Sequence, residues 1–503
     1  MQIGDRSLTG TPPGKPLSGG ALFQGVKELP VPPPPQDALE LSSASLPGIS
    51  PKKPLKSPRK LEENSPELAA MKSSVDSVTA RYTTKSSLDM EGYMIPANEG
   101  TIKHMCLTYS GHDSKAYFEA MKTFMSAMPS AKFTVLTHHS VDVDDVKERI
   151  QEWADKGEIV NPERAQVINS EQTLSIWAQD STLVVGNKVI RQDREWFPGW
   201  GDMMVPELIA KNNPEVQYER MEGRQVDGGN QLATRDALFI GSDAIAFMVE
   251  NMKKCPEKYE TIASDLKIKN AATMEKADLA KLMLDRTFPR QKVVIIGYKG
   301  KQPSFHIDMT MTPLGKRDPD SGKPVVTLGD PGMALDILKD IKTKDPVKFR
   351  KYGRDLLTKL GWGTDFLTKF LEKLFPRFLE KIGLTDRNPL DRLMKELEGD
   401  KKLQKSLEAI GKGLEKDGYK VERVPYLGSS DLNDVPWITY NNGVIDGDRI
   451  FIPSFGLPEL DGAAQDVYRH YGYEPIPIDM TKISSLKGAI NCITKVIERE
   501  YTV

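Results

Sequence analysis

Cysteine is scarce: Cys106, Cys255 and Cys492 are the only three in 503 residues, and no two are spaced as Cys-x-x-Cys. That scarcity excludes a disulfide framework and a zinc knuckle. Long apolar runs are missing too. No stretch reaches the roughly 18 consecutive apolar residues of a membrane span, and Met1-Gln2-Ile3-Gly4-Asp5-Arg6 lacks the apolar core of a secretory signal. Charge of one sign is absent: the formal net charge of −2 provides no field that favours nucleic acid or an acidic membrane surface. These absences predict a cytoplasmic protein in a reducing compartment, with no nucleic-acid partner and no membrane span. Export by a route that leaves no such signal stays open.

Two materials share the chain. Residues 1–95 hold few large apolar groups and are rich in Pro, Ser, Gly and Lys, which predicts a disordered tail. The run Pro32 to Pro35 and the basic cluster Lys52, Lys53, Lys56, Arg59 and Lys60 lie in it. A solvated tail is the plain reading, and contact with a proline-binding module is the functional one. Residues 96–503 alternate strand and helix. Strands are predicted over His104–Tyr109, Lys132–Thr137, Ala237–Ile240, Lys292–Gly297 and Val325–Leu328. A hairpin turns at Gly186-Asn187, and Trp437–Tyr440 pairs with Arg449–Pro453. Asp144 or Asp145 caps a helix carrying Val146, Ile150 and Trp153. The fold expected is α/β, built of small ββαβ-like units and interrupted by a mainly helical insertion over 335–418. Within that insertion Phe366 to Ile382 carries an apolar stripe at helical spacing, kinked by Pro376.

Four short motifs carry the chemistry: Trp177-Ala178-Gln179-Asp180, Asp227-Gly228-Gly229-Asn230, His306-Ile307-Asp308 and Asn491-Cys492-Ile493-Thr494. They supply one thiol, one imidazole and three carboxylates, a set suited to covalent attack on a guanidinium carbon. That carbon is a poor electrophile until carboxylates hold the cation with paired hydrogen bonds. Asp180 and Asp308 suit the task. A thiolate is a far stronger first nucleophile than water, which points to Cys492, its pKa lowered by His306 in its cationic form or by the substrate. His306 then protonates departing ammonia and activates water, while Asp227 orients the ring. On an extended strand His306 and Asp308 project from one face, and the glycine pair lets backbone approach a ligand behind Asp227.

Singly, each signal has a blander reading. Cys492 between apolar residues reads as a buried structural thiol, His306 as a core histidine, and Asp-Gly-Gly-Asn as a plain turn. Cys106 and Cys255 read as structural, and the His138-His139 pair does not define a metal site. One mechanism accounts for all four motifs together.

In their order these motifs resemble those of the guanidino-group-modifying enzymes with a five-bladed α/β propeller, the penteins. That group includes protein-arginine, agmatine and arginine deiminases and the amidinotransferases. Trp177 to Asp180 resembles their guanidinium-binding aspartate motif, Asp227 to Asn230 their acidic-Gly-Gly turn, His306-Ile307-Asp308 their His-x-Asp motif, and Cys492-Ile493-Thr494 their terminal nucleophile. The resemblance implies catalytic roles for Cys492, His306 and Asp227, and substrate binding by Asp180, Asp308, Trp177 and Asn230. It implies a partner that is a guanidino small molecule or a protein arginine side chain. No cofactor is implied, and a calcium requirement stays open. Gln179 before the aspartate resembles the protein-arginine deiminase branch. Asp227, where deiminases commonly carry glutamate, resembles the amidinotransferases, and Asn491 stands where small-molecule deiminases often carry histidine. The expected activity is deimination of an arginine-like substrate to a ureido product and ammonia. An amidinotransferase, or a non-catalytic binding platform of the same fold, is the alternative.

Overall fold

The computed structural model describes residues 92–111, 114–192, 201–297, 301–360, 388–428 and 435–501. The polyproline run, the basic cluster and the stripe from Phe366 to Ile382 lie outside the described residues.

Seventeen strands among the described residues form five separate sheets. In one, β1 (Thr101–Tyr109) runs antiparallel to β17 (Thr494–Glu500) and parallel to β2 (Lys132–Thr137), which is parallel to β3 (Ala165–Asn169). The second holds β4 (Thr182–Val185), β5 (Lys188–Gln192) and β6 (Gln217–Met221), and the third β7 (Gln231–Ala233), β8 (Ala237–Gly241) and β9 (Lys292–Ile296). The fourth contains β10 (Met311–Arg317), β11 (Pro324–Asp330), β12 (Lys420–Leu427) and β13 (Ile438–Thr439), and the fifth β14 (Val444–Asp446), β15 (Arg449–Ser454) and β16 (Glu474–Asp479). One pattern recurs: an antiparallel pair, a helical crossover, then a strand parallel to the second. Parallel neighbours need such a crossover, whereas antiparallel ones need only a tight turn. Gly186 supplies one such turn, its φ of 58° lying in the left-handed region that Val185 or Lys188 would resist.

The crossovers differ in length. Helix α1 (Ser114–Ala127) joins β1 to β2, and α2 (Val143–Asp155) leads to β3, burying Val146, Ile150 and Trp153 at helical spacing. Its cap is Asp142, whose carboxylate accepts from the amide of Asp144 at 2.9 Å, so the capping residue lies earlier than Asp144 or Asp145. Helix α3 (Val205–Asn212) serves the second sheet; α4 (Ser242–Lys254), α5 (Pro256–Asp265) and α6 (Lys276–Thr287) serve the third. The fourth crossover contains α7 (Pro331–Lys344), α8 (Pro346–Lys359), α9 (Pro389–Gly399) and α10 (Lys401–Lys416), and the fifth α11 (Pro458–His470). A single turn of helix, α12 (Thr481–Ser484), precedes the last segment. None of these helices is long and apolar enough to cross a membrane.

Some strand expectations need correction. Trp437–Tyr440 does not pair with Arg449–Pro453. The two-residue β13 closes against β12, and the antiparallel partner of β15 is β14, so Asn441 and Asn442 stand between two sheets rather than in a hairpin. Cys255 lies exposed at the junction of α4 and α5, where it packs nothing structural.

The first and last segments meet in one sheet. Thr494 pairs with Leu107 and Glu500 with Thr101, so the end of the chain completes the sheet that its beginning opened. Arg499, buried on β17, donates to the carbonyls of Gly100 at 3.1 Å and Ile445 at 2.7 Å. Charged donors to carbonyls stabilise by about 1.5–3 kcal/mol each. Asp446 accepts from the amide of Ile102 at 2.7 Å and also binds Arg449. This closure carries Cys492, two residues before β17, back to the other sheets.

Candidate active site

Each sheet begins at a tight turn, and these turns hold the motif residues. Asp180 precedes β4, Asp227 precedes β7, His306 and Asp308 precede β10, Asn442 precedes β14, and Cys492 precedes β17. Backbone bonds tie neighbouring turns. The amide of Gln179 donates to Cys492 O at 3.1 Å, that of Gly228 to Asp180 O at 3.0 Å, and that of Asn491 to Asn442 O at 3.2 Å. Thr439 Oγ1 donates to Met309 O at 2.7 Å, and Gln179 Nε2 to Gly228 O at 2.9 Å. Turns otherwise prone to expose unpaired polar backbone satisfy one another, which permits their burial.

The glycines of the second motif serve close approach. A Cβ on Gly228 would stand 1.7 Å from Gln179 O, and one on Gly229 2.5 Å from His306 Nδ1. Only a hydrogen fits in either space. Likewise a Cβ on Gly488 would stand 2.3 Å from the Trp177 ring, so that ring packs on the loop leading to Cys492.

His306 occupies the centre of three carboxylates. Its Nδ1 is 3.6 Å from Asp180 Oδ1 and its Nε2 3.5 Å from Asp227 Oδ2, both ion-pair distances. The His-x-Asp spacing acts differently from the strand expected. His306 itself is extended, but Ile307–Met309 form a 3-10 turn, closed by the Thr310 amide on Ile307 O at 2.9 Å. That turn sends Asp308 towards Cys492. Asp308 Oδ2 accepts from Asn491 Nδ2 at 2.8 Å and lies 3.8 Å from Cys492 Sγ. Asn442 grips the cysteine twice: its Nδ2 donates to Sγ at 3.3 Å, and its Oδ1 accepts from the Cys492 amide at 3.3 Å. Met309 sulfur is 4.0 Å from Sγ. Asn230 is buried at the far end of its turn, with Oδ1 accepting from Gln302 at 2.9 Å. Its contacts hold the turn.

Burial sets the charges. Desolvation raises Asp180 to about 7 and Asp308 to about 6, against the pull of His306. Burial alone would lower the His306 ring, but Asp180 and Asp227 outweigh it and raise it to about 9. Burial, then Asp308 and Asp180, raise the Cys492 thiol well above its ordinary value, so the sulfur is a neutral thiol in the free protein. The expected lowering by protonated His306 does not appear in the free site: burial first, and then the two carboxylates, raise the thiol. Asp180 Oδ1 and Asp308 Oδ1 are buried with no hydrogen-bond partner among the described residues. Beside the thiol, Asp308 Oδ1 and Asp180 Oδ1, the latter facing His306 Nδ1 at 3.6 Å, can accept a forked, cationic donor.

Asn442 and Asn491 were not among the residues singled out for the site. Asn442 had a locatable signal: it precedes a first strand, as do Asp180, Asp227 and Cys492. His138 and His139 stack at 4.2 Å away from this cluster, and no group of three His, Cys, Asp or Glu side chains able to hold a metal ion occurs among the described residues.

No protein-family model matches the sequence, and no curated protein matches it. The fold is similar to solved structures of guanidino-modifying enzymes. A protein provisionally described as a peptidyl-arginine deiminase is 12% identical over 82% of this chain and 99% of its own, with a TM-score of 0.48. An agmatine deiminase of C. jejuni is 11% identical over 81% of this chain and 96% of its own, with a TM-score of 0.46. An amidinotransferase of Microseira wollei from a saxitoxin pathway is 10% identical over 82% and 99%, with a TM-score of 0.38.

Proposed function

We propose that the protein is a cysteine-dependent deiminase. It hydrolyses the guanidino group of an arginine-like substrate to a ureido product and ammonia, in a domain of five ββαβ blades. The observation that carries this reading is Cys492 Sγ at 3.8 Å from Asp308 Oδ2, with the His306 ring set between Asp180 and Asp227.

The guanidinium seats against Asp180 and Asp308, whose Oδ1 atoms accept no hydrogen bond among the described residues. It places a positive charge beside the Cys492 thiol, which burial and then the carboxylates otherwise keep protonated. The substrate thus promotes formation of its own nucleophile, the thiol proton passing to solvent. The thiolate adds to the guanidinium carbon, and His306, cationic up to about pH 9, protonates the departing nitrogen. A covalent thiouronium remains. Neutral after that transfer, His306 takes a proton from water, whose oxygen adds to the same carbon. Collapse of this second adduct breaks the C–S bond and releases the thiolate and the ureido product, whose hydroxyl proton passes to the sulfur and restores the thiol. Asp227 holds the ring through Nε2 across both steps.

Ammonia and ureido formation from arginine, agmatine and an arginine peptide, with and without calcium, tests the reading. Cys492→Ala is expected to abolish turnover, and full activity in that variant would refute the mechanism. Transfer to an added amine without ammonia release would place the protein with the amidinotransferases, which Asp227 resembles in length. If no thiol labelling by a haloacetamidine occurs, the fold serves binding alone.

A further inference from the structure

A second cation lies behind the carboxylates. A cavity of about 50 Å³ is lined by Asp308, Asn491, Gln179, Asn441, Lys495 and Arg499, among others, but not by Cys492 or His306. It adjoins the thiol site across Asp308, and its volume holds several water molecules. Its walls carry buried polar atoms without hydrogen-bond partners among the described residues: Asp308 Oδ1, Asn441 Nδ2 and Arg499 Nε. Lys495 contributes its side chain from β17, three residues beyond Cys492, and is 4% exposed. No carboxylate lies within ion-pair distance of its amine among the described residues. Arg499 is held by backbone carbonyls through Nη1, so Lys495 is the cation of this chamber that can change its charge near neutral pH.

We propose that Lys495 is a positioning residue whose ammonium acts across the chamber as a counter-charge to Asp308, additional to His306, and yields that role, with its proton, to the incoming guanidinium. The inference rests on the deiminase reading of the site. The groups acting on Lys495 are Asp180 from the turn before β4, Asp308 from the turn before β10, and the Cys106 thiol, its register partner on β1. Burial lowers the amine to about 7 against the pull of both carboxylates, so it can release a proton near neutral pH. Two cations beside the same carboxylates repel each other in a medium of low dielectric, and loss of the lysine proton relieves the conflict. The proton passes to solvent and the amine remains neutral, so one charge enters the site as one leaves.

Calorimetric binding of agmatine, arginine and an arginine peptide to the Cys492→Ala protein tests this, compared with Lys495→Met, Lys495→Gln and Lys495→Arg in the same background. At pH 8, where the amine is already mostly neutral, the neutral variants are expected to bind as the parent does and the arginine variant about tenfold weaker, whereas at pH 6.5 the neutral variants are expected to bind about fourfold tighter. At pH 6.5, titrations in buffers of different ionisation enthalpy should show up to about one proton fewer released on binding in all three variants. A merely structural lysine weakens binding in every variant, and that result, or affinities unchanged at both pH values, overturns the proposal. Should Lys495→Met not fold, Lys495→Gln at pH 6.5 and Lys495→Arg at pH 8 still give the opposite signs. If the parental Cys492→Ala protein binds none of the three ligands, the deiminase reading falls and takes this inference with it. Binding that all variants weaken alike leaves the reading standing and removes the inference alone.

Discussion

Cys492 and Asp308 meet at a single oxygen: Oδ2 lies 3.8 Å from the sulfur and simultaneously accepts from Asn491 at 2.8 Å. The carboxylate is therefore both an anchor for a cation and a cause of the raised thiol. Removing its charge separates the two effects. In Asp308→Asn the thiol should ionise more easily and alkylate faster at neutral pH. Turnover of a guanidino substrate should nevertheless fall about a hundredfold or more, since one lost charge-assisted pair costs several kcal/mol in the transition state. Alkylation kinetics beside steady-state assays check both directions.

Activity should follow a bell in pH. Asp180 at about 7 and Asp308 at about 6 must lose their protons to hold a cation, so kcat/KM rises as pH climbs through that interval. His306 must retain its proton and is raised to about 9, so the alkaline limb falls there. A profile of kcat/KM between pH 5 and 10 reads both limbs.

Asp180→Asn should trade function for stability. The folded state holds the Asp180 proton up to about 7, against the carboxyl's ordinary 3.8, so folding binds an extra proton between those values. The contribution of this group to stability is full below the lower value and is lost as pH rises through the upper one. At pH 8 the asparagine variant is expected to be more stable by about 1–2 kcal/mol, the gain limited by loss of the His306 pair, with no such gain at pH 5. Denaturant melts at the two pH values, beside an activity assay that shows severe loss, decide it.

Asn442→Ala should lower both stability and rate. The side chain is fully buried, and its loss leaves the Cys492 amide without its acceptor and the sulfur without its donor. A cost of about 1–3 kcal/mol in unfolding free energy is expected, with a fall in kcat that exceeds any rise in KM.

The two glycines before β7 should separate fold from chemistry. Gly228→Ala drives a Cβ to 1.7 Å from a backbone oxygen, and destabilisation of about 3 kcal/mol or more is expected. Gly229→Ala meets the His306 ring at 2.5 Å and Asp180 Oδ1 at 3.1 Å, side chains that can move. That protein should fold and lose most activity, as circular dichroism and ammonia release would show.

The amino-acid sequence determined a good deal by itself. Short apolar, β-branched runs bounded by turn residues located β2, β4, β5, β8 and β9 within a residue or two, because such runs and turn glycines are local properties. The identities of Asp180, Asp227, His306, Asp308 and Cys492 named a chemistry, since few reactions need that combination. What the sequence could not contain was the distance between those residues, or the environment that sets their charges. Which strand pairs with which depends on closure of β17 onto β1, a contact between opposite ends of the described chain. Asn442 gains its bond to Cys492 only through that closure, and Lys495 becomes interior only there. The protonation of Cys492 likewise follows from burial among carboxylates contributed by other sheets. Residue type states what a group can do; the dielectric and the neighbours that decide whether it does so exist only after folding.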